Sequence, residues 1–225
     1  MENKKDNIKK VKKPWPTKDA MEQVYSMNLW GGDDTSFYSG IGSHHPDIID
    51  PYIKAVSSFL SSFEKPPVVC DLGCGDFNVG KELVKYTGNY KAVDIVEPLI
   101  THNSKKYYQD NLEFHCLDIA VDDLPSADIV ILRQVLQHLS NSEVHSILKK
   151  LRDFKYLILT EHLPAGDFEP NLDIISGQGT RLKKNSGLNI LAAPFNFKVE
   201  DETELLRVAL DNHKGVIVTT IYTIR

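Results

Sequence analysis

Residues 68–75 read Val68-Val69-Cys70-Asp71-Leu72-Gly73-Cys74-Gly75. An apolar run ends on Asp71, and two glycines alternate behind it. The pattern predicts a strand that stops in a turn too tight for side chains, where glycine lets backbone approach a ligand. A second apolar run, 90–95, carries Asp94 about twenty residues after the glycines, the distance at which an acid holds a ribose. Together the two runs predict a nucleoside-containing cofactor at the rim of a parallel sheet.

Working outward, strands are expected at 67–72, 90–95, 111–117, 127–133 and 154–162. Helices fit at 78–87, 97–108 and 141–151, the last opened by a Ser140/Glu143 capping box. Repeated strand–helix–strand units imply α/β architecture with right-handed crossovers. Near the C-terminus, apolar runs at 205–210 and 216–224 flank Asp211-Asn212-His213-Lys214-Gly215, which predicts a hairpin. Upstream, Pro46 opens a helix to about residue 63, with Ile49, Ile53, Val56 and Leu60 on one face. Thr17 is expected to cap a short helix to about Met27. Residues 28–45 are rich in glycine and serine and predict a loop anchored by Trp30, Phe37 and Tyr38. Residues 1–13, lysine-rich, are expected to be a mobile tail.

The 225 residues suit one main domain with a sizeable core, and 41% hydrophobic with 25% charged residues is ordinary for a globular chain. A net charge of -5 argues against nucleic acid as partner. No apolar run is long enough to cross a membrane, and the N-terminus lacks the apolar core of a secretion signal. Cys70, Cys74 and Cys116 are odd in number and predict reduced thiols in a cytoplasmic protein. No metal is expected: neither the cysteines nor the histidines have ligand spacing.

Asp71-x-Gly73-x-Gly75, with Asp94 and Asp118-Ile119 behind it, resembles the motif series of class I S-adenosylmethionine-dependent methyltransferases. The likeness runs over residues 46–225, the expected methyltransferase domain, with 1–45 a tail and N-terminal lid. It implies a three-layer, Rossmann-like, seven-stranded, mostly parallel sheet ending in an antiparallel hairpin, preceded by a helical extension. The chain is closest to a little-characterised branch. That branch shares Trp30-Gly31, Ser39-Gly40-Ile41-Gly42-Ser43, Cys74-Gly75-Asp76-Phe77-Asn78 and Asp94-Ile95-Val96. It also shares Arg133, Leu136, His138 and Leu139, then Asn171 to Gly177, then Pro194-Phe195. There are departures: Phe77 stands where the third small residue of the glycine motif belongs, Val79 replaces a tryptophan, and Gln134 an aspartate. Leu151-Arg152-Asp153-Phe154 replaces the usual Leu-Lys-Pro-Gly-Gly.

The resemblance implies S-adenosyl-L-methionine as cofactor. Gly73, Cys74 and Gly75 would admit its methionine and ribose parts. Asp71 either orders the turn or reaches the ammonium through water. Asp94, beside Ile95, would accept the ribose hydroxyls, and Asp118 with Ile119 would hold the adenine. Trp30 and Ser43 belong to the expected lid, where an aromatic face near a sulfonium gains cation–π energy. Arg133 and His138 are the candidate catalytic residues, His138 as base and Arg133 orienting the acceptor or the cofactor carboxylate. Gln134, His138, Glu161, His162, Asn171, Asp173 and Arg181 form the expected acceptor wall. The expected acceptor is a hydroxyl on a small or sugar-containing molecule. Two alternatives stay open: a non-catalytic module that binds S-adenosylmethionine or a partner protein, and an NAD(P)-dependent oxidoreductase. Phe77 in the tight position and Asp71 ahead of the glycines disfavour the oxidoreductase.

Overall fold

The computed structural model describes residues 14–33, 36–210 and 215–224. The tail at 1–13 and the hairpin tip at 211–214 lie outside the described residues. In chain order the elements begin with α1 (Thr17–Ser26) and α2 (Pro46–Leu60). The alternating core follows: β1 (Val68–Leu72), α3 (Gly80–Leu83), β2 (Asn89–Asp94), α4 (Glu97–Lys106), β3 (Leu112–Cys116), β4 (Ile129–Arg133), α5 (Asn141–Lys150) and β5 (Tyr156–Leu163). An insertion carries the short strands β6 (Glu169–Pro170) and β7 (Ser186–Gly187), and the chain closes with β8 (Asp201–Ala209) and β9 (Val216–Thr223).

Seven strands form one sheet in the order β3-β2-β1-β4-β5-β9-β8. The first five are parallel; β9 runs antiparallel to β5 and to β8. The expected mostly parallel sheet with a closing hairpin is therefore the fold observed. Successive side chains on a strand point to opposite faces. Val69, Ile129, Ile131 and Ile158 accordingly pack with Tyr52, Val56 and Leu60 of α2. Cys70, Val130, Leu132 and Leu157 pack with Val144, Ile147 and Leu148 of α5. Each such buried aliphatic side chain contributes about 1.5–3 kcal/mol. Burial on both faces is why these strands read as continuous apolar runs.

The strand order reverses between β1 and β4, and the crevice of such sheets lies beyond the strand C-termini at that reversal. The residues that end β1, β2 and β4 are thereby brought to one rim.

Local structure departs from expectation in three places. Thr17 is the first helical residue of α1 rather than its cap; the cap position is Pro16, and the Thr17 hydroxyl donates to Glu143. The buried face of α2 is Ile48, Tyr52, Val56 and Leu60, while Ile49 and Ile53 lie at its margin, because the helix turns its tyrosine to the sheet. The helix after β1 starts at Gly80, not at 78. Phe77 takes the left-handed backbone at φ 63°, and Asp76 Oδ1 accepts from Asn78 N at 3.1 Å, holding a turn ahead of the helix.

Candidate active site

A cavity of ≈ 390 Å³ opens beyond the ends of β1, β2 and β4, lined among others by Gly73, Gly75, Asp94 and Arg133. That volume is within the range of small-ligand sites. Its floor is the glycine turn. Gly73 at φ 82° and Gly75 at φ 57° have left-handed backbone, and a Cβ would collide with Val135 at the first and with the Ser39 hydroxyl at the second. Phe77 is fully buried, with its ring edge-on to Tyr90, Tyr107 and Phe114. Gly80 supplies the missing small residue instead, since a Cβ there would run into the Phe77 ring.

Asp94 lies at one side of this floor. Its Oδ2 accepts from Gly75 N and its Oδ1 from Val96 N, both at 3.1 Å. Burial raises its pKa, and these amides pull it back down. A carboxylate has about four acceptor sites, so Asp94 keeps acceptor capacity after its loop amides are satisfied. Asp71 is held by the Tyr90 hydroxyl at 2.8 Å, and burial pushes its pKa up to about 6. Ile95, Asp118 and Ile119 line the adjoining wall. Asp118 also caps its own turn through Ala120 N at 2.9 Å.

Arg133 ends β4 and enters the opposite wall. It donates to Ser43 Oγ at 3.1 Å and to Gly42 O at 2.5 Å, with its guanidinium 4.9 Å from the Tyr52 ring centre. Gln134 follows at φ 56°, an unusual backbone for a non-glycine residue. Gly42 admits its side chain: a Cβ there would sit 2.6 Å from Gln134 Oε1. Arg133 Nε, Gln134 Nε2 and the Tyr52 hydroxyl are buried and have no hydrogen-bond partner among the described residues. All three residues line the cavity. Unpaired buried donors at one wall mark where a ligand acceptor belongs.

The segment over the cavity is fastened by Asp76. Its Oδ2 accepts from Ser39 N at 2.7 Å and pairs with His44 Nε2 at 2.6 Å. Ser39 Oγ in turn accepts from Asp76 N at 2.8 Å and lies 2.9 Å from the Tyr25 hydroxyl. Of the aromatic residues expected over the site, Trp30 lines it. Phe37 packs on Tyr25 and His102, and Tyr38 stacks on His44, so these two anchor the loop. Tyr25 and Tyr52 were missed from sequence because they lie on helices far upstream of the motif, and Asp76, though within the quoted motif, was given no role because its partners lie in the 39–44 loop.

His138 lines the cavity with its ring 5.3 Å from Trp30. Its Nδ1 is 3.2 Å from the carbonyls of Gly177 and Gly179 and donates there, which leaves Nε2 to accept from Gln137 Nε2 at 3.3 Å. Burial draws its pKa down to about 4. Apart from Gln134, the rest of the expected acceptor wall is not among the cavity's lining residues. Arg181 is 1% exposed and donates to Leu136 O, Leu139 O and Asn141 Oδ1. Asn171 bonds Asn189 and Ala193. Asp173 receives Asn141 N. His162 N donates to Gln137 Oε1. Glu161 is 3% exposed, has no hydrogen-bond partner among the described residues, and is pushed up to about 8 by burial. The insertion's polar groups satisfy backbone carbonyls and amides there. The cavity's own wall is completed by Thr17, Glu143, Gln178 and Thr180.

A glycine turn, a strand-end acid one strand over and a closing hairpin define the Rossmann-like methyltransferase architecture. A family model described as a methyltransferase domain matches residues 70–154. Phosphoethanolamine N-methyltransferase 1 of Zea mays is 32% identical over 101 residues, 43% of this chain and 20% of that protein. The chain thus spans about a fifth of the length of that relative. Among solved structures, the N-methyltransferase NodS of Bradyrhizobium japonicum with S-adenosyl-L-homocysteine superposes with TM-score 0.63 at 13% identity, over 92% of this chain and 100% of that one. The 1,6-didemethyltoxoflavin-N1-methyltransferase of Burkholderia thailandensis gives 0.61 at 14% identity, over 96% and 94%. Residues 70–154 thus match a methyltransferase domain, and the chain has the fold of S-adenosylmethionine-dependent methyltransferases.

Proposed function

We propose that this chain is a methyltransferase that binds S-adenosylmethionine in the 390 Å³ cavity and transfers its methyl to a small-molecule acceptor. The observation that carries the reading is the convergence of Asp94 with the Arg133, Gln134 and Tyr52 donors around one glycine floor. Asp94 keeps acceptor capacity for a ribose hydroxyl. Ile95 and Ile119, with Asp118 beside them, offer an apolar slot with one polar edge for an adenine. Arg133 Nε, Gln134 Nε2 and the Tyr52 hydroxyl fit the carboxylate of the cofactor's amino-acid end, and Asp71 stands near for its ammonium.

When bound, S-adenosylmethionine supplies a methyl on a sulfonium, which an acceptor lone pair displaces in one step. The chain's contribution is then positioning, which converts a bimolecular encounter into an aligned one. Gly73 and Gly75 hold the floor close. Trp30 and Tyr25 cover it, with rings 5.4 Å apart, and exclude water. His138, kept neutral by burial, has its Nε2 lone pair engaged by Gln137. For the hydroxyl acceptor expected from sequence, it would give little proton removal.

Thermal unfolding with S-adenosylmethionine, S-adenosylhomocysteine and NAD in parallel tests the reading. Ligand at a hundred times its dissociation constant adds about 2.7 kcal/mol. Stabilisation by the two adenosyl-sulfur compounds and not by NAD is expected. Stabilisation by NAD alone would restore the oxidoreductase, and binding without methyl transfer would leave a cofactor-binding module.

A further inference from the structure

We infer that the methyl acceptor is an uncharged nitrogen, an amine or ring nitrogen, on a molecule without phosphate or carboxylate groups. The inference rests on the methyltransferase reading and deepens it at the same site.

The first ground is charge. Asp71, Asp76, Asp94, Asp118 and Glu143 all face the cavity, against Arg133 as the one guanidinium or ammonium among the described lining residues. Arg133 is already committed. It holds Ser43 and Gly42, lies over Tyr52, and its remaining Nε is one of the donors assigned above to the cofactor carboxylate. Phosphate and carboxylate recognition uses forked guanidinium donors or an ammonium. Arg181 is buried on the carbonyls of Leu136 and Leu139 and is not among the cavity's lining residues. Asp71, Asp94 and Asp118 are matched to the cofactor in the same way, so an anionic acceptor would find no protein cation left to meet it and the Glu143 carboxylate in the same cavity.

The second ground is proton chemistry. A hydroxyl becomes a competent nucleophile as its proton leaves, and that asks for a base matched to neutral pH. The His138 ring is fixed by two carbonyls at Nδ1 and by Gln137 at Nε2. Glu143 is occupied by Thr17, Ser140 and Ser176, and these bonds hold its pKa below the ordinary carboxylate range. An uncharged nitrogen needs no base before attack. Its lone pair forms the new N–C bond as the C–S bond breaks, the C–S electron pair stays on sulfur, and the positive charge passes from sulfur to nitrogen. Any N–H proton then leaves to water.

The third ground is where that charge develops. The rings of Trp30, Tyr25 and His138 stand together at the cavity. Aromatic faces and carboxylates stabilise positive charge arriving on nitrogen.

The test uses the full chain with S-adenosylmethionine labelled with 13C at the methyl. Acceptors are a protein-free cell extract and two matched pairs, aniline with phenol and ethanolamine with phosphoethanolamine. The carbon chemical shift separates N-methyl from O-methyl products, and ion exchange separates anionic products from the rest. Labelled N-methyl product without acidic groups is expected, with aniline preferred to phenol. An O-methyl product, or turnover of phosphoethanolamine above ethanolamine, would overturn the inference and leave the methyltransferase reading in place. No transfer from a cofactor that calorimetry shows to bind would remove both.

Discussion

Asp94 and Glu161 occupy matching places, one at the C-terminal end of β2 and the other near that of β5, and both are buried. Their surroundings differ. Asp94 is fed by two loop amides and opens on the cavity. Glu161 is paired across the sheet with Val218 of antiparallel β9, has Arg181 nearby, and lines no part of the cavity. A glycine turn thus leaves Asp94 open to the cavity, whereas Glu161 lies against an antiparallel partner strand. Over β5 the insertion covers the rim, and the polar groups there hold structure.

This contrast separates variants that cost stability from variants that cost affinity. Arg181→Ala should have the largest effect. It orphans the carbonyls of Leu136 and Leu139 and removes the cation beside Glu161. A loss of about 3–5 kcal/mol in urea unfolding is expected. Retained stability would mean that the region over β5 is not the structural half of the site.

Asp94→Ala should act the other way. It removes a charged acceptor from the proposed ribose position, so affinity for S-adenosylhomocysteine should fall by about 3 kcal/mol, roughly a hundredfold. Calorimetry reads this directly, and unchanged affinity would erase the distinction between the two acids.

Glu161→Gln sharpens the comparison through pH. The folded-state pKa of Glu161 is about 8 against an ordinary 4.5, so the folded chain holds a proton that the unfolded chain has released. Stability attributable to this group therefore falls as pH rises from 4.5 to about 8, and is level above that. Asp71, raised to about 6, acts in the same direction at lower pH. Unfolding measured between about pH 6 and pH 8 should show wild type losing stability, with the slope reduced in Glu161→Gln. Equal slopes would refute the buried-acid assignment.

Trp30→Leu should have the smallest effect. An aromatic face near a sulfonium is worth about 1 kcal/mol, so S-adenosylmethionine should lose roughly fivefold in affinity. S-adenosylhomocysteine, without the charge, should lose less. Equal losses would make Trp30 a packing residue alone.

The same contrast accounts for what the sequence revealed. The strands, the closing hairpin and the glycine turn were legible because they depend on local pattern: apolar runs, Gly73 and Gly75, and the Ser140/Glu143 box, which forms as expected. Asp94 was legible by its spacing from the glycines. Asp76 was part of a quoted motif, yet its use as the clasp for Ser39 and His44 depends on a loop more than thirty residues upstream. The donors Tyr52, Arg133 and Gln134 come from α2, β4 and the turn after it, and meet only once the sheet is assembled. Glu161, His162, Asn171, Asp173 and Arg181 are not among the cavity's lining residues, whereas Gln178 and Thr180 of the same stretch are. The two sets were not told apart from sequence because a polar loop near the rim reads the same whether it faces ligand or caps carbonyls. Arg181 and Asn171 do the second.

The most direct test of the account is a crystal structure of the chain with S-adenosylhomocysteine. The ribose hydroxyls should lie within hydrogen-bonding distance of Asp94, the adenine beside Asp118 and Ile119, and the carboxylate on Arg133, Gln134 or Tyr52. A ligand bound elsewhere, or in this cavity with its ribose turned from Asp94, would contradict it.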